Sequence, residues 1–165
     1  MEDNDSIESG AKDTKKVASP ISGELISLES VNDETFAQKM LGDGYAVVPT
    51  DGKIVAPVDG TIMTIFPTKH AIGIKTTNGL EVLVHMGIDT VELNGAPFEV
   101  AVEEGQTIKH GDLLATVDLD QIVAAGKQTA MMVIITNMPA VAYMKFNNMG
   151  QSVQADTVAV KATTK

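Results

Sequence analysis

Leu80-Glu81-Val82-Leu83-Val84-His85-Met86-Gly87-Ile88-Asp89-Thr90-Val91 is an apolar run that ends on an imidazole, followed at once by a glycine and a carboxylate. Alternation puts Leu83 on the face of His85 and turns Val82 and Val84 the other way, as in a β-strand with two unlike sides. Just upstream, Asn78-Gly79 is best explained as a hairpin turn. Before it lies a second apolar segment, Ala71 to Thr76, introduced by Phe66-Pro67-Thr68-Lys69-His70. The two segments are expected to pair. Two of the three histidines then flank one hairpin.

The same rhythm runs outward in both directions. Short apolar segments alternate with Gly, Pro and Asp turns, the pattern of an all-β domain. Strands are expected at Val17-Ala18, Gly23 to Ser27, Tyr45 to Pro49, Lys53 to Ala56, Gly60 to Ile65, Ala71 to Thr76 and Glu81 to His85. Further strands are expected at Gly95 to Val100, Leu113 to Asp118, Met131 to Thr136 and Val158 to Ala162. Helix signals are local: Asp33 to Gly42 opens on a capping carboxylate and closes on glycine, and Asp118 to Lys127 has a similar cap.

Val17-Ala18-Ser19-Pro20-Ile21-Ser22-Gly23 is echoed by Val55-Ala56-Pro57-Val58-Asp59-Gly60, and Val102 to Leu114 places two glycines around an apolar position. Turns alone can generate such likeness, since glycine enters left-handed backbone freely. The repeated proline and glycine nevertheless favour a folded-over sheet built from related halves.

The chain has 165 residues, the size of one domain, and 44% of them are apolar with few aromatics. Aliphatic side chains and methionine must therefore fill the core. Twelve basic residues against 22 acidic ones give a formal charge of −10, which opposes nucleic-acid binding and favours a basic protein partner. There is no cysteine, so disulfides, thiolate nucleophiles and cysteine-type zinc sites are excluded. Residues 1–16 read as a disordered acidic leader without the features of a secretory signal, and residues 17–165 as the folded domain. No run reaches membrane-spanning length, so a cytoplasmic protein without direct membrane insertion is expected.

An imidazole among apolar neighbours is often only a half-buried core residue. Beside His85, however, Gly87 gives close access to the backbone, and its N–H with that of Ile88 is expected to serve an anion on the ring. Thr68 stands two residues before His70, placed to fix one ring nitrogen and so the tautomer. With both rings on one spot, one can act as nucleophile while the other donates a hydrogen bond to incoming phosphoryl oxygens. His110, in a Lys-His-Gly-Asp turn, is expected to be exposed and uninvolved. No nucleophile elbow or phosphate loop is present. His70, His85 and Asp89 in zinc-ligand roles make a zinc-dependent peptidase or hydrolase the alternative. A phosphocarrier also needs an apolar docking patch, for which Phe36, Met40, Phe66, Leu83, Met86 and Ile88 are candidates, rimmed by Asp33 and Asp89.

From about Val17 to Ala162 the chain resembles the enzyme IIA protein or domain of the glucose-type branch of the bacterial phosphoenolpyruvate-dependent sugar phosphotransferase system. The resemblance rests on Ala56-Pro57-Val58-Asp59-Gly60, Phe66-Pro67-Thr68-Lys69-His70-Ala71, Val84-His85-Met86-Gly87-Ile88-Asp89-Thr90-Val91 and Glu104-Gly105-Gln106 with Gly111-Asp112. It implies a flattened antiparallel β-sandwich or barrel of duplicated hybrid-motif type, with one or two short helices. It implies that His85 takes a phosphoryl group through Nε2 from the carrier protein HPr and passes it to a cysteine on the IIB domain of a permease for glucose or a related sugar. His70, oriented by Thr68, supports onward transfer. Asp33 and Asp89 meet the basic surface of HPr, and Phe36, Phe66, Leu83 and Met86 line the docking depression. The best-known members carry phenylalanines around the active histidine where this chain has Leu83 and Met86. No metal or cofactor is required, although some members form an intermolecular zinc site from the two histidines and a carboxylate of a regulated partner. Regulated transporters or kinases can use the same unphosphorylated face, and the chain is expected to act as a monomer.

Overall fold

The computed structural model describes residues 14–165. Among the described residues, fourteen strands make three antiparallel sheets. The largest runs β13 (Ser152–Val153), β2 (Gly23–Ser27), β3 (Asp43–Pro49), β11 (Gln128–Ile135), β7 (Glu81–Ile88), β6 (Ala71–Lys75), β5 (Gly60–Ile65) and β9 (Thr107–Ile108). One three-stranded sheet is β1 (Thr14–Ala18), β14 (Val158–Thr164) and β12 (Val141–Phe146). The other is β4 (Lys53–Val55), β10 (Leu113–Val117) and β8 (Phe98–Val100).

These orders are two copies of one figure. Strands 13-2-3-11 answer 9-5-6-7 in the large sheet, and 1-14-12 answers 4-10-8. The hydrogen bonds repeat as well. Ala18 N–H donates to Pro57 O (2.9 Å) while Val55 N–H donates to Pro20 O (2.7 Å), so the two echoed proline segments grip each other. Leu25 N–H to Gln151 O (2.9 Å) and Gly150 N–H to Leu25 O (2.7 Å) are matched by Ile62 N–H to Gln106 O and Gly105 N–H to Ile62 O, both 2.8 Å. The glycine-paired segment Val102 to Leu114 is therefore the mate of residues 147–159 and not a third copy. The central half, residues 53–117, is continuous in sequence. It is inserted into a split half made of residues 14–49 and 128–164.

The principal core lies between the large sheet and the two small ones. Leu25, Tyr45, Ile72, Val84, Met86 and Val133 meet Val17, Ile54, Leu114 and Val160 there. Tyr45, fully buried, donates its hydroxyl to Ala18 O (2.5 Å) and so ties the large sheet to a small one. Helix is confined to short pieces. In α1 (Glu34–Ala37) the Asp33 carboxylate accepts from Thr35 N–H (3.0 Å), but the turn stops well before Gly42 because Lys39 adopts a φ of 61°. In α2 (Leu119–Ala124) Asp118 caps as expected. Among the described residues, no helix is long and apolar enough to cross a membrane.

Further sequence expectations need correction. Residues 14–16, assigned to the leader, form the outer part of β1 and pair with residues 161–163 of β14; the disorder expected for the rest of the leader lies outside the described residues. The strand expected over Gly95 to Val100 is shorter, because Asn94 and Gly95 both have left-handed φ. β12 was not foreseen.

Candidate functional site

β7 carries His85 outward and pairs it with Ala71 of β6 on one side and Met132 of β11 on the other. His70 stands one residue before β6, and its carbonyl accepts from Met86 N–H (2.7 Å), which extends the ladder and brings the two imidazoles together. Their ring centroids are 4.9 Å apart, with the planes 79° to each other. Phe36 from α1 tilts against His85 (4.9 Å), and Phe66 meets His70 edge-on (5.4 Å).

Each ring has one nitrogen tied down. His85 Nδ1 lies 2.8 Å from Gly87 O. A carbonyl oxygen only accepts, so Nδ1 carries the proton and Nε2 presents a bare lone pair. His70 Nδ1 lies 2.6 Å from Thr68 Oγ1. The tilt of Gly87 that makes this bond possible needs its φ of 88°, and a Cβ there would come within 2.5 Å of Thr90 Cγ2. The expectation concerned the N–H groups of Gly87 and Ile88; the structure adds a role for the Gly87 carbonyl. The glycine was legible in the sequence; which of its atoms mattered was not.

Electrostatics keep both rings uncharged near neutral pH. Burial, reinforced by the neighbouring His70, pushes His85 down to about 4, against smaller opposing effects of the Gly87 carbonyl and the Asp33 carboxylate. Burial lowers His70 as well. A neutral imidazole with a free Nε2 can attack phosphorus without first losing a proton.

The docking candidates separate into surface and interior. Phe66 is 37% exposed, and with Met63, Gly73 and Leu83 it lines a shallow depression of about 240 Å³ beside the histidines. Met63 was not foreseen, although its place on β5, the strand flanking β6, could have suggested it. Phe36 is mostly buried but keeps a ring contact with His85. Met40 is 69% exposed beyond the helical turn. Asp33 is half-buried close to His85, and Asp89 is exposed with a φ of 61°. Met86 and Ile88 belong to the interior, and their assignment to the docking surface is corrected. Met86 shares the inward parity of Val84, while the left-handed Gly87 breaks the alternation and sends Ile88 beneath Phe36.

His110 stands elsewhere. Its Nδ1 lies 3.0 Å and 3.1 Å from the two carboxylate oxygens of Asp156, beside a cavity of about 320 Å³ that neither His70 nor His85 lines.

Comparison with known proteins agrees with this geometry. Residues 15–141 match the family model described as the phosphoenolpyruvate-dependent sugar phosphotransferase system, EIIA 1. The "PTS system glucose-specific EIIA component" of Staphylococcus epidermidis is 42% identical over 90% of this chain and 89% of its own length. The "PTS system glucose-specific EIICBA component" of Streptococcus pneumoniae is 53% identical over 90% of this chain, which spans only 20% of that longer protein. The solved structure of glucose permease IIA from Mycoplasma capricolum superposes with a TM-score of 0.83 at 41% identity, covering 90% of this chain and 96% of that one. This chain therefore belongs to the EIIA 1 family of the phosphoenolpyruvate-dependent sugar phosphotransferase system, as one of its phosphotransferase components.

Proposed function

We propose that His85 Nε2 is the atom that carries the phosphoryl group. The observation behind this reading is the bond from His85 Nδ1–H to Gly87 O, which leaves Nε2 as the free nucleophile. Phosphorylated HPr is the donor. The Nε2 lone pair forms a bond to phosphorus as the donor's P–N bond breaks, and the electron pair returns to the donor imidazole. In delivery, a cysteine thiolate of a IIB domain attacks phosphorus, and the pair of the His85–phosphorus bond returns to Nε2. Neither step consumes a proton.

His70 stabilises charge on the phosphoryl oxygens through an Nε2–H donor. That requires the Thr68 hydroxyl to donate to His70 Nδ1, and the 2.6 Å contact suits it. Phe36, Phe66 and Leu83 supply apolar contact for HPr and IIB in turn, and Asp33 and Asp89 meet basic residues at the rim. The acceptor belongs to a permease for glucose or a related amino sugar, as the names of glucose- and glucosamine-specific relatives suggest. The reaction takes place in the cytoplasm and needs no cofactor. The zinc-peptidase alternative has no observation in its favour. The paired histidines supply two ligands, and the described residues contain no group of three or more His, Cys, Asp or Glu side chains able to hold a metal.

Incubation with phosphoenolpyruvate, enzyme I and HPr tests the reading. One acid-labile phosphoryl group per chain is expected, none in His85→Ala, and in His70→Gln uptake without delivery to IIB. Normal uptake by His85→Ala would overturn the assignment.

A further inference from the structure

Thr90 is fully buried, and its hydroxyl donates to Met86 O at 2.6 Å. Its methyl group faces Gly87 so closely that a Cβ on the glycine would lie 2.5 Å from it, and 3.0 Å from Gln128 O. Asp89, at a φ of 61°, turns the chain so that Thr90 comes back under the strand it has just left. The sheet itself holds this stretch weakly, because the register between β11 and β7 shifts between Gln128 and Met131. Glycine has no conformational preference strong enough to keep its carbonyl turned towards His85. Something outside the glycine must do so.

We propose that Thr90 is a positioning residue that sets the tautomer of His85. Its hydroxyl fixes the Met86 carbonyl, its methyl blocks the movement of Gly87, and together they hold Gly87 O against His85 Nδ1–H. A β-branched side chain suits the task, since its hydroxyl and methyl are locked in fixed directions by one χ1 angle. Without this clamp the Gly87 peptide turns away, the proton redistributes between the two ring nitrogens, and part of the population loses its free Nε2. The consequence for transfer rests on His85 being the nucleophile; the consequence for the tautomer does not.

The test compares Thr90→Ala with Thr90→Ser, because both lose the methyl and only one loses the hydroxyl. Tyr45→Phe, which removes a buried hydroxyl from the Ala18 carbonyl, controls for loss of stability alone. In ¹⁵N-labelled protein near neutral pH, wild type is expected to show His85 Nδ1 protonated and Nε2 bare. Thr90→Ala should shift both resonances towards a tautomer mixture and lower the maximal rate of phosphoryl uptake from HPr about tenfold at unchanged KM for HPr. Thr90→Ser, which keeps the hydroxyl bond but not the methyl, should fall between wild type and Thr90→Ala in both readouts, and Tyr45→Phe should keep the wild-type pattern. A wild-type nitrogen pattern in Thr90→Ala, or a serine variant no better than the alanine one, overturns the proposal. If wild type takes up no phosphoryl group while Thr90→Ala still alters the tautomer, the phosphocarrier reading fails and the positioning role stands.

Discussion

In the split half, residues 28–42 lie across the large sheet, and Leu28, Val31 and Phe36 cover Ala46, Met132 and Ile134. In the central half the matching connection is only residues 66–70, and Met63, Phe66 and Leu83 keep exposed surface. Strand register aligns the two precincts residue by residue. Ile134 opposite Gly44 corresponds to His85 opposite Ala71, and Asp43, one residue earlier, corresponds to His70. One backbone plan therefore carries a dry, covered patch in one half and two imidazoles beside an open apolar floor in the other. What distinguishes the site is the shortened connection and the turn at Gly87, since the underlying sheet is the same.

The comparison breaks most readily at Gly87. Replacing it by alanine forces a side chain into left-handed backbone and against Thr90, at an expected cost of about 2 kcal/mol in stability. Displacement of its carbonyl should lower phosphoryl uptake about a hundredfold, measured against the alanine variant's own thermal midpoint so that lost folding is separated from lost chemistry. Uptake within twofold of wild type would show that the turn is incidental.

The two phenylalanines sharpen the contrast between covered and open. Phe36→Ala should destabilise by about 3 kcal/mol in urea titrations, because it removes the lid of the split half. Phe66→Ala, on the open floor, should cost no more than about 0.5 kcal/mol and should weaken docking of HPr equally at low and high salt. Equal stability losses at the two positions would mean that the halves are covered alike.

Titration gives a further check. His85 is depressed to about 4 from an ordinary 6.5, so the unfolded chain binds this proton first as pH falls. Its contribution to stability is complete above about 6.5 and is lost as pH drops from there towards about 4. An NMR titration of its ring should show a midpoint near the lower value. A midpoint near 6.5 would place the ring in open water. The smallest effect is expected at the rim: Asp33→Asn with Asp89→Asn should slow association with HPr a few-fold at low salt and flatten its salt dependence.

Much of this was legible in the chain. Turn spacing gave the all-β class, and the two proline-glycine segments announced the internal duplication. The hairpin at Asn78-Gly79 brought His70 and His85 together, and Thr68 could be named because a hydroxyl two residues before an imidazole is a short-range partner. What escaped notice depended on distant contacts. β12 was hidden because most of its side chains face solvent, and β9 and β13 are too short for any periodicity. Met86 looked like a docking residue until alternation was followed through from Val84. The cover formed by residues 28–37 could not be foreseen, because it depends on which half of the sheet the segment lies over.

β1 and β14 lie side by side, with Thr14 opposite Thr163, and they belong to a different sheet from the histidines. The two ends of the described chain therefore leave from neighbouring points. A tether attached to either end holds the domain by the same place, which suits a module matched within a longer polypeptide such as the streptococcal EIICBA component. The reach of the histidine is then set by linker length alone and hardly depends on which end is fixed. By the same geometry, a short bridge joining the ends would allow the chain to be reopened at an exposed loop, producing a circular permutant with its relay intact.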